Sequence, residues 1–177
     1  MDYQDKNFKY TNAKEYDKRG ENSILEKYVL GLWQPFLKNK IADLSGDKVV
    51  ADLGCGTGEY LLAAKKAKKI YAIDVSEPML QVCREKLKDF YQAKVTKSQV
   101  ENFKMPDNES VDLVITIGIW EYVDPLKLIS KIKEITKRGS KIIVVFPNIY
   151  NDLNWMRSIA NGKSVALRPG FIKKLFH

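Results

Sequence analysis

Residues 49–60 read VVADLGCGTGEY, a short apolar run that ends in three glycines at alternate positions. The run from Lys48 to Leu53 is apolar on both faces and rich in valine, the pattern of a parallel strand buried on both sides. Glycine after such a strand lets the backbone take positive φ and approach a ligand that a Cβ would hold off. A tight strand-to-helix turn needs one such residue; three at alternate positions point to a nucleotide-like ligand.

The flanking sequence repeats the alternation of strand and helix. A helix is expected over residues 59–68, then a strand, KIYAID (69–74), that stops at an acid. Ser76 and Pro78 suit the start of a further helix whose Met79, Cys83, Leu87 and Phe90 share a face. AKVTKSQV (93–100) is a weak strand, and VDLVITIGI (111–119) is the most apolar strand in the chain. Asp124 and Pro125 open a helix with a stripe of Leu128, Ile129, Ile132 and Ile135, expected to end at Gly139. KIIVVF (141–146) is the fifth strand. This alternation predicts an α/β fold: a doubly wound, Rossmann-like, mostly parallel sheet with helices on both faces. Upstream, residues 21–41 predict a helix with one apolar stripe (Leu25, Tyr28, Val29, Leu32, Trp33, Phe36, Leu37), and Pro35 predicts a kink or break in it. Residues 1–47 therefore read as an N-terminal arm and helical cap, and 48–177 as the core domain.

The chain has 177 residues, enough for one domain with a real core. No stretch reaches the roughly 18 uninterrupted apolar residues of a membrane span, and the polar N-terminus lacks the apolar core of a signal peptide. Two cysteines, Cys55 and Cys83, are too few for a disulfide framework or a cysteine zinc site. A soluble, cytoplasmic protein with no membrane association is expected. The net charge of +8 comes from 30 basic and 22 acidic residues. The lysines are dispersed, and the densest cluster, KKAKK (65–69), falls at an expected helix end, where cations suit the dipole. The charge thus argues weakly for nucleic acid, which is not an expected partner.

The glycine spacing separates two ligand classes. A dinucleotide fingerprint is G-x-G-x-x-G, with its third glycine at position 59, which is Glu here. An acid there would face a pyrophosphate that is already negative. The spacing G-x-G-x-G, preceded by Asp52, suits a cationic ligand without phosphate, and a nicotinamide dehydrogenase is disfavoured.

VVADLGCGTGEY resembles the first motif of the class I S-adenosylmethionine-dependent methyltransferases, and the likeness extends over about residues 48–147. The resemblance implies that Gly54, Gly56 and Gly58 line the methionine part of the cofactor, with Asp52 anchoring the loop and the cofactor's amino end. Asp74 matches the acid that accepts both ribose hydroxyls, and Val75 and Met79 match apolar residues beside the adenine. QVENFKMPDNESVDLVI (99–115) resembles the family pattern D-A-E-x-L-P…D-x-S-F-D-L-V. Gln99 stands where the family has an Asp that accepts from the adenine amino group, and Val100 is placed to meet adenine through its N–H. ITIGIWEYVDP (115–125) matches the motif after the fourth strand, which puts the carbonyl of Ile117 at the cofactor. S-adenosylmethionine is the implied cofactor, with no metal.

The implied activity is direct in-line displacement of a methyl group onto an O or N atom of a small-molecule acceptor. The only histidine is His177, so a histidine base is not expected; by position, Glu121 and Tyr122 are the candidate bases, though helix capping or packing is the favoured reading of both. The (N/D)-P-P-(Y/F) signature of nucleic-acid amine methylation would fall at 116–119, where the chain reads TIGI. Tyr150, Trp155 and Arg157 are candidates for acceptor contacts. The family's last two strands, a hairpin beside the fifth, have no counterpart, so the core is expected to be C-terminally truncated, or a homodimer or partner chain to cover the fifth strand. The rival reading is a non-catalytic cofactor-binding or scaffold subunit with the same fold.

Overall fold

The computed structural model describes residues 13–18, 24–106, 109–120 and 122–146, without the side chains of 14, 15, 24–29 and 32. The chain divides into two compact units, Met1–Val145 and Phe146–His177, and every element named below lies in the first. Two helices, α1 (Ala13–Asp17) and α2 (Ile24–Ser45), precede the strand β1 (Val49–Leu53). Then follow β2 (Lys69–Asp74), α3 (Glu77–Lys86), β3 (Ala93–Lys97), β4 (Val111–Ile117), α4 (Pro125–Ile135) and β5 (Thr136–Val145). The five strands form one parallel sheet in the order β3-β2-β1-β4-β5. The expected doubly wound architecture is therefore present, and its strand order reverses between β1 and β4.

Alternation of side chains along the central strands feeds two cores. Val50, Ile70, Ala72, Leu113 and Ile115 face Leu37 and Ile41 of α2 and Leu80 and Cys83 of α3. Ala51, Leu53, Tyr71, Ile73 and Val114 face Leu128, Ile132 and Ile135 of α4. All five residues of β1 are buried, four of them apolar and the fifth Asp52. Each fully buried Ile or Leu contributes roughly 1.5–3 kcal/mol, so the two layers hold the sheet from both sides. Asp112 fastens β4 to both neighbours: it accepts from the Val49 N–H at 2.9 Å and pairs with Lys137 of β5 at 2.7 Å. The Lys137 hydrogen bond holds the Asp112 carboxyl below its usual range.

Three expectations fail here for identifiable reasons. Residues 59–68 form no α-helix but a chain of i→i+3 turns around a 3-10 turn, Leu61–Ala63. The ten residues between Gly58 and Lys69 must run back along β2, which is six residues or about 20 Å long. Ten α-helical residues span only about 15 Å, whereas the 3-10 rise of about 2.0 Å per residue reaches. Next, α2 runs through Pro35 as one helix and does not break into two, and Phe36, placed on its apolar stripe, is 69% exposed. Finally, α4 ends at Ile135 and β5 begins at once with Thr136, whose hydroxyl donates to the Ile132 carbonyl at 2.7 Å. Gly139 (φ +92°) lies inside β5, where the pairing with β4 shifts register, and not at a helix terminus. Asp124 does cap α4 as expected, accepting from the Leu126 and Lys127 N–H groups.

Candidate functional site

The carboxyl ends of β1, β2, β3 and β4 meet where the strand order reverses, the usual ligand crevice of an open α/β sheet. The glycine loop leaves β1 there. Gly54, Gly56 and Gly58 all have positive φ, at +83°, +52° and +75°. The three are not equivalent. A Cβ on Gly54 would lie 2.0 Å from Cγ2 of Ile119, and one on Gly58 would lie 2.7 Å from Sγ of Cys83. At Gly56 a Cβ would meet nothing within 4 Å. The outer glycines are thus required by packing within the protein, and the middle one faces open space.

Backbone hydrogen bonds fix this loop on β2. The N–H groups of Gly54 and Cys55 donate to the Ile73 carbonyl at 2.8 and 2.9 Å. Asp74 completes the seam: its Oδ2 accepts from the Gly56 N–H and its Oδ1 from the Ser76 N–H, both at 2.9 Å. Ser76 stands at the N-cap of α3, yet its own side chain makes no capping bond, and Asp74 serves that end instead. Asp74 still has acceptor capacity left for a ligand donor. The Ser98 N–H donates to the Asp74 carbonyl at 3.0 Å, which draws the segment of Gln99 and Val100 to the same place.

Asp52 is the electrostatic centre of the site. It is 2% exposed. Burial first, and then the Asp74 charge, push its carboxyl up to about 8. Burial also raises Asp74, against the hydrogen bonds from Ser76, Gly56 and Val75. Two buried acids beneath an open glycine backbone form a site that gains stability from a cation. Glu59, by contrast, is spoken for. Its burial would raise its pKa, but Lys38 at 2.5 Å and Lys86 at 2.8 Å outweigh that and hold it below the usual range. The sequence-based argument that Glu59 repels a pyrophosphate is therefore corrected: Asp52 and Asp74 carry the sign of the site.

The remaining candidates divide. Val75 is 43% exposed beside Asp74, whereas Met79 is fully buried. Gln99 accepts from the Asn102 side chain through its Oε1 at 2.8 Å, and Val100 is buried at the start of a 3-10 turn. Ile117 ends β4, followed by Gly118 at φ +68°. Tyr122 is partly exposed, and its N–H closes a turn onto the Ile119 carbonyl. Glu121, Tyr150, Trp155 and Arg157 lie outside the described residues. Sequence reasoning missed Ile119, the wall against Gly54, and the Thr116 hydroxyl that receives the Trp120 Nε1–H at 3.0 Å. It also missed Lys86, which reaches the loop from α3. No local pattern marks these residues, because their roles arise from contacts across the sheet. Among the described residues no group of three or more His, Cys, Asp or Glu is arranged to hold a metal, and no helix is long and apolar enough to cross a membrane.

Known proteins similar to this chain include methyltransferases. A family model for the methyltransferase domain matches residues 51–144. A demethylmenaquinone methyltransferase of Lactococcus lactis is 26% identical over 139 residues, which cover 75% of this chain and 54% of that protein. The structure of an S-adenosylmethionine-dependent methyltransferase from Aquifex aeolicus is similar at a TM-score of 0.55 and 28% identity, over 77% of this chain and 68% of the other. Another, from Thiobacillus denitrificans in complex with S-adenosylhomocysteine, has a TM-score of 0.51 at 20% identity, over 61% and 46% of the two chains, a likeness of fold alone. The chain spans about half the length of the curated relatives it matches.

Proposed function

The chain belongs to the methyltransferase-domain family, and from that premise we propose that it binds S-adenosylmethionine at the glycine loop and passes its methyl group to an O or N atom of a small molecule. When bound, the cofactor supplies a methyl group activated on a sulfonium. The protein's part is to orient it, align the acceptor and exclude water. Asp52 and Asp74 supply the buried negative charge that a cationic ligand neutralises. The Gly56 backbone supplies the open approach, and the remaining acceptor capacity of Asp74 suits a ribose hydroxyl. The observation that carries this reading is the Asp52 carboxyl, 2% exposed, in the same loop region as a glycine that faces open space and is bonded to Asp74.

Titration calorimetry with S-adenosylmethionine, S-adenosylhomocysteine and NAD tests it. Both sulfur nucleotides bind, NAD does not, and Asp74→Ala weakens binding strongly. Folded protein that binds neither sulfur nucleotide defeats the proposal. The acceptor is sought by transfer of labelled methyl to candidate small molecules. The Lactococcus lactis relative is named for demethylmenaquinone, so a quinone belongs in that screen beside alcohols and amines. Binding without transfer to any acceptor favours the rival reading of a non-catalytic subunit.

A further inference from the structure

We propose that Lys86, the last residue of α3, is a positioning residue that straps the N-terminal helix α1 across the glycine loop and so slows release of the cofactor. This rests on the cofactor reading given above. Lys86 Nζ donates to Asp17 Oδ2 at 2.8 Å, to Glu59 Oε2 at 2.8 Å and to Thr57 Oγ1 at 3.3 Å. The Thr57 hydroxyl in turn donates to Asp17 Oδ1 at 2.6 Å. Glu59 Oε1 accepts from Lys38 of α2 at 2.5 Å. Four segments far apart in sequence thus converge on the two residues that flank Gly58.

The network has the properties of a clasp. Its charges balance, with two lysines against two carboxylates. It is partly withdrawn from water: Thr57 is buried, the Lys86 and Asp17 side chains are 21% and 28% exposed, and those of Lys38 and Glu59 are 34% and 37%. Burial would lower the Lys86 pKa, but Asp17 and Glu59 outweigh it and keep the amine protonated. The helix it holds has five residues, too few to persist without tertiary contacts. Ala13 supplies a buried apolar contact at one end of α1, and Asp17 the charged contact at the other. Because Thr57 lies between Gly56 and Gly58, a segment bonded to Thr57 sits on the loop that cradles the ligand. Opening this segment is the local rearrangement that frees the loop.

The test uses the full chain with Lys86→Gln, Lys86→Arg and Asp17→Asn. Opening of α1 is read as the rate of trypsin cleavage after Lys14, identified by the mass of the released peptide. Cofactor release is read as the dissociation rate of S-adenosylhomocysteine in a stopped-flow competition. Lys86→Gln and Asp17→Asn each raise both rates about tenfold, the scale of a partly buried ion-pair network. Lys86→Arg stays near wild type, since a guanidinium also serves two carboxylates. Salt at roughly 0.5 M does to the wild type what the neutral variants do. Unchanged cleavage in both neutral variants overturns the strap. Faster cleavage with unchanged dissociation overturns its control of release. A wild type that binds neither sulfur nucleotide overturns the cofactor reading and the control of release together, while cleavage still judges the strap by itself.

Discussion

Replacing each loop glycine by alanine separates packing from ligand approach. At Gly56 the backbone lies at φ +52°, inside the left-handed region, and the new methyl meets no atom within 4 Å. The cost is the left-handed penalty, about 1–2 kcal/mol, less the few tenths to about 1 kcal/mol by which alanine restricts the unfolded chain. At Gly54 the same penalty applies at φ +83°, and the methyl stands 2.0 Å from Ile119 Cγ2. Carbon contacts settle at about 3.5–4.0 Å, so Ile119 must move by well over an ångström, and overpacking adds about 1–3 kcal/mol. For a chain of this size 1 kcal/mol shifts Tm by about 2–4 °C. Thermal unfolding followed by circular dichroism gives a fall of about 3 °C for Gly56→Ala and about 10 °C for Gly54→Ala. Calorimetry with S-adenosylhomocysteine shows the reverse emphasis: Gly56→Ala loses at least about tenfold in affinity, because its methyl occupies the approach to the backbone. Adding Ile119→Ala to Gly54→Ala removes the obstacle, so the double variant is less destabilised than the sum of the two. Gly54→Ala that melts with Gly56→Ala, or Gly56→Ala that binds like wild type, refutes the division of roles.

Other perturbations address separate parts of the domain. The Asp52 carboxyl sits at about 8 in the folded chain against 3.8 in the unfolded one, through burial and then the Asp74 charge. The native state therefore holds a proton between those values that the unfolded state has lost, and this stabilisation is complete below about pH 4 and gone above about pH 8. Asp52→Asn removes that decline, so at pH 8 the ligand-free variant melts higher than wild type while binding S-adenosylhomocysteine more weakly. Wild-type binding of this ligand, through its ammonium group, tightens as pH rises toward 8 and Asp52 ionises, with proton uptake by buffer visible as a heat that changes with the buffer's ionisation enthalpy. Asp124→Ala leaves two N–H groups of α4 uncapped and lowers stability by about 1 kcal/mol in urea titration, with no change in the slope m. Thr116→Val removes the acceptor of the Trp120 indole N–H; it costs about 1–3 kcal/mol, and a stability equal to wild type discounts that bond.

The parts of this fold that were legible in the sequence are those set by short-range pattern. The five strands, the glycine loop, Asp74 at the end of β2 and the Asp124 cap all follow from residue type at fixed spacing. The errors arose where length or three-dimensional reach decided. Leu61, Ala64 and Ala67 are buried at three-residue intervals, which an α-helix and a row of tight turns produce alike; the distance back to β2 chooses the turns. Gly139 has the positive φ expected of it, but that conformation serves a register shift as well as a helix end. The ion pairs of Glu59 join residues 21 and 27 positions apart, and no window on the sequence brings them together. The acid after the third glycine was for that reason given to the ligand, when it belongs to the scaffold.

The burial of Asp52 also bears on how much of this protein a cell contains. A carboxyl buried at a cost that a ligand's cation relieves makes the empty domain the weaker of two forms, and the filled one the form that resists unfolding and proteolysis. Lifetime then follows the supply of methyl donor. On the cofactor reading proposed above, a shortage of that cofactor lowers the amount of folded protein.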